Sequence, residues 1–268
     1  MLELYHHGSS VCAAKVRLCL AEKGLEWEGH YVDILKGEQF DPAYVKINPK
    51  AMVPALIHDG NVITESTVIN EYLDEVFPEP PLKPVDAYGR TRMRFWTKAV
   101  DEDLHTGAVG TLTFCASHRH VVLRLPDKAL QEFLDGSPDP VKRERKRRWV
   151  EDGFKAPDAR HAVLAYDKFV GAMETRLTET PWLAGDAFSL ADIAAIPYLV
   201  RLDMLQMAGM WRDARPHVED WFQRMAARPS FQPAFYEWIP DDLLADLATH
   251  GARSWPEMQA ILAGNAAA

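Results

Sequence analysis

The spacing of apolar residues divides the beginning of the chain into short strands and helices. An apolar run over residues 2–5 predicts a strand, and an apolar face between Ala13 and Lys23 predicts a helix that Gly24 ends. Alternation over residues 30–34 predicts a second strand. The beginning of the chain therefore has the pattern of a β-α-β unit.

The next segment has the pattern of a short helix, a hairpin and a longer helix. Residues 43–47 predict the short helix. Residues 53–58 and 61–64 predict two strands joined by Asp59-Gly60, a dipeptide typical of two-residue hairpin turns. A further helix is expected over residues 66–76. Together with the first unit, this order predicts a small mixed sheet covered by helices.

A proline-rich connector at residues 78–84 separates this part from the rest of the chain. Four prolines stand in the connector, and the residues beyond it show helical periodicity. We therefore expect two domains, an α/β domain over residues 1–80 and an all-helical domain over residues 88–268.

Apolar residues three and four positions apart predict a long helix with one buried face at the start of the helical part. These residues are Met93, Trp96, Val100 and Leu104. Further helices are expected over residues 161–177 and 218–227. Ser189 and Asp192 have capping-box spacing before a continuously apolar segment, so we assign them a structural role. Loss of Asp192 should then lower the free energy of unfolding by about 1–2 kcal/mol.

The overall composition is typical of a globular protein in a reducing compartment. Hydrophobic residues make up 47% and charged residues 26% of the 268 residues. A net charge of −9 argues against a nucleic-acid surface. No apolar run reaches the ~18 residues that suggest a membrane span. The three cysteines form neither a disulfide framework nor a metal motif, and no signal-peptide pattern begins the chain, so we expect a cytoplasmic protein.

Two local clusters of polar residues have plain structural interpretations. Residues 142–148 are rich in lysine and arginine, but acids interrupt the surrounding stretch, so we predict a solvated helix face. His118 and His120 are separated by one residue without further ligand spacing, so we predict surface histidines and no metal site.

The most informative motifs are Val53-Pro54 and Glu65-Ser66. A proline has no amide proton, so Pro54 belongs at the start or edge of a strand. If the Val53-Pro54 bond is cis, the main chain of Val53 can pair with an extended peptide. Glu65 and Ser66 begin a predicted helix, whose N-terminus attracts a carboxylate. Together the motifs predict a pocket for a small peptide with an amine and a carboxylate; the alternative is an ordinary edge strand followed by a capped helix.

This order of motifs, with the Ser189–Asp192 box in the helical part, resembles the cytosolic glutathione transferases over nearly the whole chain. Residues 62–69 and 95–102 look like those of bacterial β-aryl etherases that act on lignin fragments. Ser10-Val11-Cys12 and residues 201–205 are similar to tetrachlorohydroquinone dehalogenase. The resemblance implies a thioredoxin-like N-terminal domain, a helical C-terminal domain, glutathione as co-substrate, and a homodimer.

The resemblance also implies a role for each residue of the motifs. Val53 would hold the cysteinyl backbone of glutathione beside a cis Pro54. Glu65 would bind the γ-glutamyl amine, and Ser66 the γ-glutamyl carboxylate. Candidates for the glycyl carboxylate are Lys50, Gln39 and Lys36.

Activation of the glutathione thiol needs about 2.7 kcal/mol if its pKa is to fall about two units from ~8.5. A hydroxyl hydrogen bond to a charged sulfur supplies about 1.5–3 kcal/mol, and a helix N-terminus adds about 0.3–1 kcal/mol. Ser10 precedes the first helix and falls on the family's activating position. Cys12 matches the dehalogenase's nucleophilic cysteine, and Ser9 is a third candidate; for the two serines, simple helix capping is the alternative.

The second substrate should lie between the domains. Candidates for the lining are Trp96, Thr106, Phe114, Cys115, Tyr236 and Trp238. We expect the glutathione thiolate to attack a small aromatic or hydrophobic electrophile in aromatic catabolism, with β-aryl ether cleavage preferred. The alternatives are reductive removal of halide or glutathione through Cys12, and a non-catalytic module that binds a hydrophobic ligand or a protein partner.

Overall fold

The computed structural model describes residues 1–137 and 139–266, and its four strands form one sheet. The strands are β1 (Leu2–His6), β2 (Glu28–Tyr31), β3 (Ala55–His58) and β4 (Asn61–Thr64), in the order β2-β1-β3-β4. β1 and β2 are parallel, whereas β3 is antiparallel to both β1 and β4. The hairpin at Asp59-Gly60 is confirmed.

The second strand starts two residues before the predicted position. Glu28 to Tyr31 pair in register with Glu3 to His6 of the parallel neighbour, and the chain then turns away. The prediction of a strand over residues 30–34 is therefore displaced, because pairing with β1 decides the register rather than local alternation.

Three helices accompany the sheet: α1 (Val11–Glu22), α2 (Pro42–Ile47) and α3 (Ser66–Val76). α1 is buried along most of its length and packs against α3 and against two helices of the helical part of the chain. Even its polar side chains are enclosed: Lys15 and Arg17 lose nearly all contact with solvent. α1 therefore carries its N-terminal residues to the junction of the two parts.

The helical part begins with a long helix, α4, over residues 87–122, in which two π-helical stretches, Val100–Val109 and Phe114–His118, interrupt the α-helical geometry. The remaining helices are α5 (Asp127–Asp135), α6 (Pro140–Asp152), α7 (Pro157–Leu177), α8 (Leu190–Met204), α9 (Pro216–Ala226), α10 (Phe231–Phe235) and α11 (Asp241–Ala266). Of the predicted apolar face of α4, Met93, Val100 and Leu104 are fully buried and Trp96 is partly buried. None of the described helices combines the length and apolarity that a membrane span requires.

The capping box at the start of α8 is confirmed. The Ser189 hydroxyl accepts from the amide of Ala191 at 3.2 Å, and the Asp192 carboxylate accepts from the amide of Ser189 at 3.0 Å. Asp192 also accepts from the amide of Leu183 at 3.0 Å and from the indole of Trp221 at 2.9 Å. The box therefore joins two further segments to the buried helix.

The main hydrophobic core extends through both parts of the chain, and two smaller clusters lie in the helical part. The connector is tied to its surroundings, since the ammonium of Lys23 donates to the carbonyls of Phe77 and Pro80 at 2.7 and 2.9 Å. Domain limits at residues 80 and 88 stay a prediction, because the core does not divide there.

Candidate active site

A cavity of about 680 Å³ lies between the sheet and the helical part. It gathers eight residues that the sequence singled out: Ser10, Cys12, Gln39, Lys50, Val53, Pro54, Glu65 and Ser66. These residues come from four separate segments of the first 66 residues. The fold therefore brings the predicted catalytic and glutathione-binding residues to one place, apart from Ser9 and Lys36.

The loop before β3 supplies one wall of the cavity. The Val53–Pro54 peptide bond is cis. The carbonyl of Met52 accepts from the hydroxyl of Tyr44 at 2.6 Å and from the amide of Asn48 at 2.8 Å, which fixes the loop. Within the described residues, the main chain of Val53 makes no hydrogen bond to another backbone group. Its amide and carbonyl are therefore available to an extended peptide.

Glu65 and Ser66 stand at the N-terminus of α3. Glu65 adopts the left-handed backbone conformation, with φ of 69°, immediately before the helix. Its carboxylate accepts from the ammonium of Lys50 at 2.6 Å. Ser66 is buried and lowers the pKa of the neighbouring Cys12 thiol. A ligand amine that binds Glu65 would therefore share or displace Lys50.

The two other candidates for the glycyl carboxylate differ in position. Gln39 is buried at the cavity wall, where its side-chain amide donates to the carbonyl of Ile34 at 3.4 Å. Lys36 lies outside the lining and pairs with Asp33 at 2.9 Å. The structure therefore brings Gln39, but not Lys36, to the site.

Ser10 caps α1 at the edge of the cavity. Its hydroxyl oxygen accepts from the amide of Ala13 at 3.2 Å. Capping uses the oxygen as an acceptor and leaves the hydroxyl proton free to donate. Ser10 can therefore cap the helix and donate to a thiolate at the same time.

Ser9 points away from the cavity. Its hydroxyl lies 3.1 Å from Nδ1 of His7 and 3.4 Å from Nε2 of His118, all three side chains being buried. Burial lowers the pKa of His118 well below its usual range. The prediction of a surface histidine at position 118 is therefore wrong, and the fold does not bring Ser9 to the site.

Cys12 is a buried cysteine whose sulfur lies beside a histidine. Its Sγ is 3.4 Å from Nδ1 of His105 and 4.0 Å from the hydroxyl of Tyr198. Burial raises the pKa of the thiol, but the charges of His105 and Lys15 and hydrogen bonds from His105 and Ser66 outweigh it and lower the pKa to about 6. The surroundings of Cys12 therefore favour the thiolate.

The other two cysteines behave in the opposite way. Burial raises the pKa of Cys19, and it raises the pKa of Cys115 to about 12. Cys12 is therefore the one described cysteine whose surroundings favour the anion.

His105 is a site residue that sequence reasoning did not single out. It lies in the first π-helical stretch of α4 and borders the cavity. The charge of Cys12 raises the pKa of His105, while desolvation opposes the shift. The sequence feature that could have indicated His105 is its four-residue spacing from Asp101, which places both residues on one side of the helix. Asp101 also borders the cavity and pairs with Lys15 at 2.7 Å.

The predicted lining of the second-substrate site is only partly recovered. Thr106 borders the cavity, and Trp96 borders an adjoining cavity of about 670 Å³ that shares Thr106, Thr111 and Arg145 with the first. The other candidates lie outside both cavities: Phe114, Cys115, Tyr236 and Trp238.

The basic run on α6 is not simply a solvated face. Lys142 and Arg145 line the first cavity, together with Trp149 one turn further on. The interpretation as a solvated helix face is therefore correct for only part of the run, because residues three and seven positions apart share the face towards the cavity.

Comparison with known proteins decides the family. Models of the glutathione S-transferase N-terminal and C-terminal domains match residues 9–76 and 118–229. Protein LigF of Sphingobium sp. strain SYK-6 is 33% identical over 250 residues, which cover 91% of this chain and 96% of LigF. The chain belongs to the glutathione S-transferase family. Its fold is accordingly a thioredoxin-like domain followed by a helical domain, and glutathione is its co-substrate.

Two further comparisons agree with this assignment. The crystal structure of the β-etherase LigF superposes with a TM-score of 0.78 at 34% identity, covering 87% of this chain and 98% of LigF. The tetrachloro-p-hydroquinone reductive dehalogenase of Sphingobium chlorophenolicum is 28% identical and covers 87% of this chain and 95% of its own. Glutathione-dependent catalysis is therefore expected of this transferase.

Proposed function

We propose that this transferase activates glutathione at Ser10 and directs its thiolate against a β-aryl ether or a related small aromatic electrophile. The observation that carries the proposal is the convergence of Val53, Glu65-Ser66 and Ser10 on one cavity. The similarity to a β-etherase over most of both chains supports the choice of reaction.

Glutathione would bind along the loop before β3. The main chain of Val53 pairs with the cysteinyl residue, and Glu65 takes the γ-glutamyl amine. Ser66 and the N-terminus of α3 take the γ-glutamyl carboxylate. Lys50, once released from Glu65, joins Gln39 at the glycyl carboxylate.

The thiol of this peptide would then be activated at the N-terminus of α1. Ser10 donates its hydroxyl proton to the sulfur, and the helix N-terminus favours the negative charge. Together these interactions supply the about 2.7 kcal/mol that a two-unit fall in pKa requires. No separate general base is needed.

The reaction is a displacement at the carbon that carries the aryloxy group. The glutathione sulfur forms a bond to this carbon while the carbon–oxygen bond breaks. The phenoxide leaves with the bonding electron pair and takes up a proton from water. The products are a glutathione thioether and a phenol.

A second function is favoured by the 3.4 Å contact between Cys12 and His105. The Cys12 thiolate would attack the sulfur of a glutathione thioether next to a carbonyl group. A mixed disulfide forms, the carbon–sulfur bond breaks, and the substrate keeps the electron pair as an enolate that takes up a proton. A second glutathione thiolate then releases Cys12 and leaves as glutathione disulfide.

Mass spectrometry after incubation with glutathione and a panel of aryl ethers and aryl halides tests the proposal. A glutathione thioether and a free phenol are the expected products. At pH 7, Ser10→Ala should reduce their formation about tenfold to twenty-five-fold, because the pKa of the bound thiol rises towards ~8.5 and its thiolate fraction falls, while Cys12→Ser leaves it nearly intact. The reverse pattern, with glutathione disulfide as a product, would establish the second function. Glutathione binding without any product would contradict both.

We also propose a homodimer, on the basis of exposed apolar side chains near the junction of β4, α3 and α4. These are Val62, Val68, Tyr88 and Phe95, each at least 48% exposed. Light scattering should give twice the 30.3 kDa chain mass, and Phe95→Glu should shift the mass towards the monomer. A wild-type monomer at micromolar concentration would contradict the proposal.

A further inference from the structure

The cations in the basic run of α6 differ in their ionic contacts. Away from the cavity, Arg147 pairs with Asp135 at 3.0 Å; beside Trp149, Arg148 pairs at 3.4 Å with Asp158, an acid of the adjoining cavity. These cations are neutralised by neighbouring acids. They behave as the solvated, paired residues that a surface helix normally carries.

The face towards the cavity is different. Lys142 and Arg145 border the cavity, and neither makes an ion pair within residues 1–137 and 139–266. The Nε atom of Arg145 also has no hydrogen-bond acceptor there. In a chain with a net charge of −9, two unpaired cations at one cavity need an explanation.

The acids of the cavity do not neutralise them. Glu65 is engaged by Lys50 at 2.6 Å, and Asp101 is engaged by Lys15 at 2.7 Å. The cavity therefore keeps an excess of positive charge on α6.

Arg145 is held in place for recognition of an anion. Its guanidinium lies 5.0 Å above the ring of Trp149, whose indole donates to the carboxylate of Asp158 at 3.3 Å. Stacking orients the planar guanidinium and leaves its edge free for a bidentate contact with a carboxylate. Arg145 also borders the adjoining cavity, which contains Trp96 and the acids Glu102, Asp103 and Asp158.

We propose that Arg145, assisted by Lys142, binds an anionic group, a carboxylate in the first instance, of the aromatic second substrate. This inference rests on the proposed function and adds the substrate class: an acidic rather than a neutral aryl ether. Glutathione also carries carboxylates, but the assignments to Ser66, Lys50 and Gln39 already match them. The experiment must therefore distinguish these two sources of a carboxylate.

The test compares two phenacyl ethers, one of para-hydroxybenzoate and one of its methyl ester, each rate being divided by the uncatalysed rate with glutathione. Wild type should prefer the carboxylate. Arg145→Gln should lower kcat/KM for the carboxylate about tenfold to a hundredfold, the range of a charge-assisted hydrogen bond, and lower it much less for the ester. Lys142→Gln should act in the same direction by about two- to fivefold, because the side chain is exposed.

Arg147→Gln is the matched control, since it removes a paired cation from the other face of the same helix. Thermal unfolding checks that each variant is folded. Equal losses for carboxylate and ester would overturn the inference. So would a weaker Kd for glutathione, measured by calorimetry, in Arg145→Gln, because the cation would then serve glutathione itself.

A binding measurement keeps the inference separate from the proposed reaction. Calorimetry compares S-(para-carboxybenzyl)glutathione with its benzoate methyl ester, and neither compound needs to react. Wild type should bind the carboxylate more tightly, and Arg145→Gln should abolish the difference. If neither ether is turned over, the proposed function fails while this result stands; equal binding by wild type overturns the inference alone.

Discussion

The two walls of the cavity recognise their ligands in different ways. The wall from the thioredoxin-like domain offers main-chain groups at Val53 and the N-termini of α1 and α3. The wall from the helical domain offers side chains, above all His105 and Arg145. The first wall suits a constant peptide, because backbone geometry belongs to the fold. The second can change its chemistry by single substitutions, which is what a variable second substrate requires.

Helix α8 contacts both walls, since it also packs against the π-helical stretch of α4 that carries His105. Its Tyr198 lies against Cys12, and the guanidinium of its Arg201 donates to the carbonyl of Ser9. Both contacts depend on the position of α8, which the Ser189–Asp192 box fixes at its start. Substitutions in the Ser189–Asp192 box should therefore affect both walls, whereas substitutions within one wall should affect the binding of one ligand.

The largest effect is expected on the free energy of unfolding, from Asp192→Ala in the capping box of α8. The substitution leaves the amides of Ser189 and Leu183 and the indole of Trp221 without an acceptor in a buried place. Each orphaned donor costs about 1–3 kcal/mol, so urea denaturation should show a loss of about 3 kcal/mol or more, above the about 1–2 kcal/mol expected of a cap alone. Asp192→Asn keeps an acceptor and should lose less. A loss below about 1 kcal/mol would show that the box does not fix the position of α8.

The next largest effect is expected on the pKa of the Cys12 thiol, from His105→Gln in the helical wall. Removing a cation beside Cys12 disfavours the thiolate, so the pKa of the thiol should rise from about 6 towards its ordinary value. Alkylation of Cys12 by iodoacetamide increases with pH through the thiol pKa. In wild type the alkylation rate should level off above about pH 7. At that pH the rate in the variant should be lower than in wild type by a factor of at least about ten.

The control for this measurement lies within the chain. Cys12→Ser should be inert, because burial raises the pKa of both Cys19 and Cys115. An unchanged pH profile in His105→Gln would mean that the helix N-terminus and Lys15 suffice, and the helical wall would then have no part in activating the sulfur.

The two walls also differ in how far the sequence reveals them. Pro54, Glu65 and Ser66 are recognisable because proline and helix-start residues constrain the backbone locally. His105 and Arg145 are not recognisable in this way, because the helix register decides which side of the helix each residue lies on. The π-helical stretch around His105 shifts that register. The prediction of a surface histidine at position 118 was wrong for a related reason. The burial of His118 against Ser9 is a tertiary contact, which no local sequence pattern contains.

A smaller effect should distinguish the two serines before α1. Ser9→Ala removes a buried hydroxyl that lies near His7 and His118, so we expect a loss of stability of about 1 kcal/mol. The kcat should stay unchanged, because this hydroxyl does not face the cavity. Steady-state kinetics together with urea denaturation separate the two effects. A fall in kcat comparable to that of Ser10→Ala would contradict the assignment of the activating hydroxyl to Ser10.

The smallest effect is expected on the peptide wall, from Lys50→Gln. The ammonium of Lys50 is exposed and paired with an equally exposed Glu65, and such pairs contribute only about 0.2–1 kcal/mol. If Lys50 moves to the glycyl carboxylate on binding, the Kd for glutathione should rise about two- to fivefold in the variant. The Kd for glutathione esterified at the glycyl carboxylate should not change. A tighter Kd for both peptides would instead mean that Lys50 mainly competes with the γ-glutamyl amine for Glu65, and the peptide wall would then be partly blocked by its own ion pair.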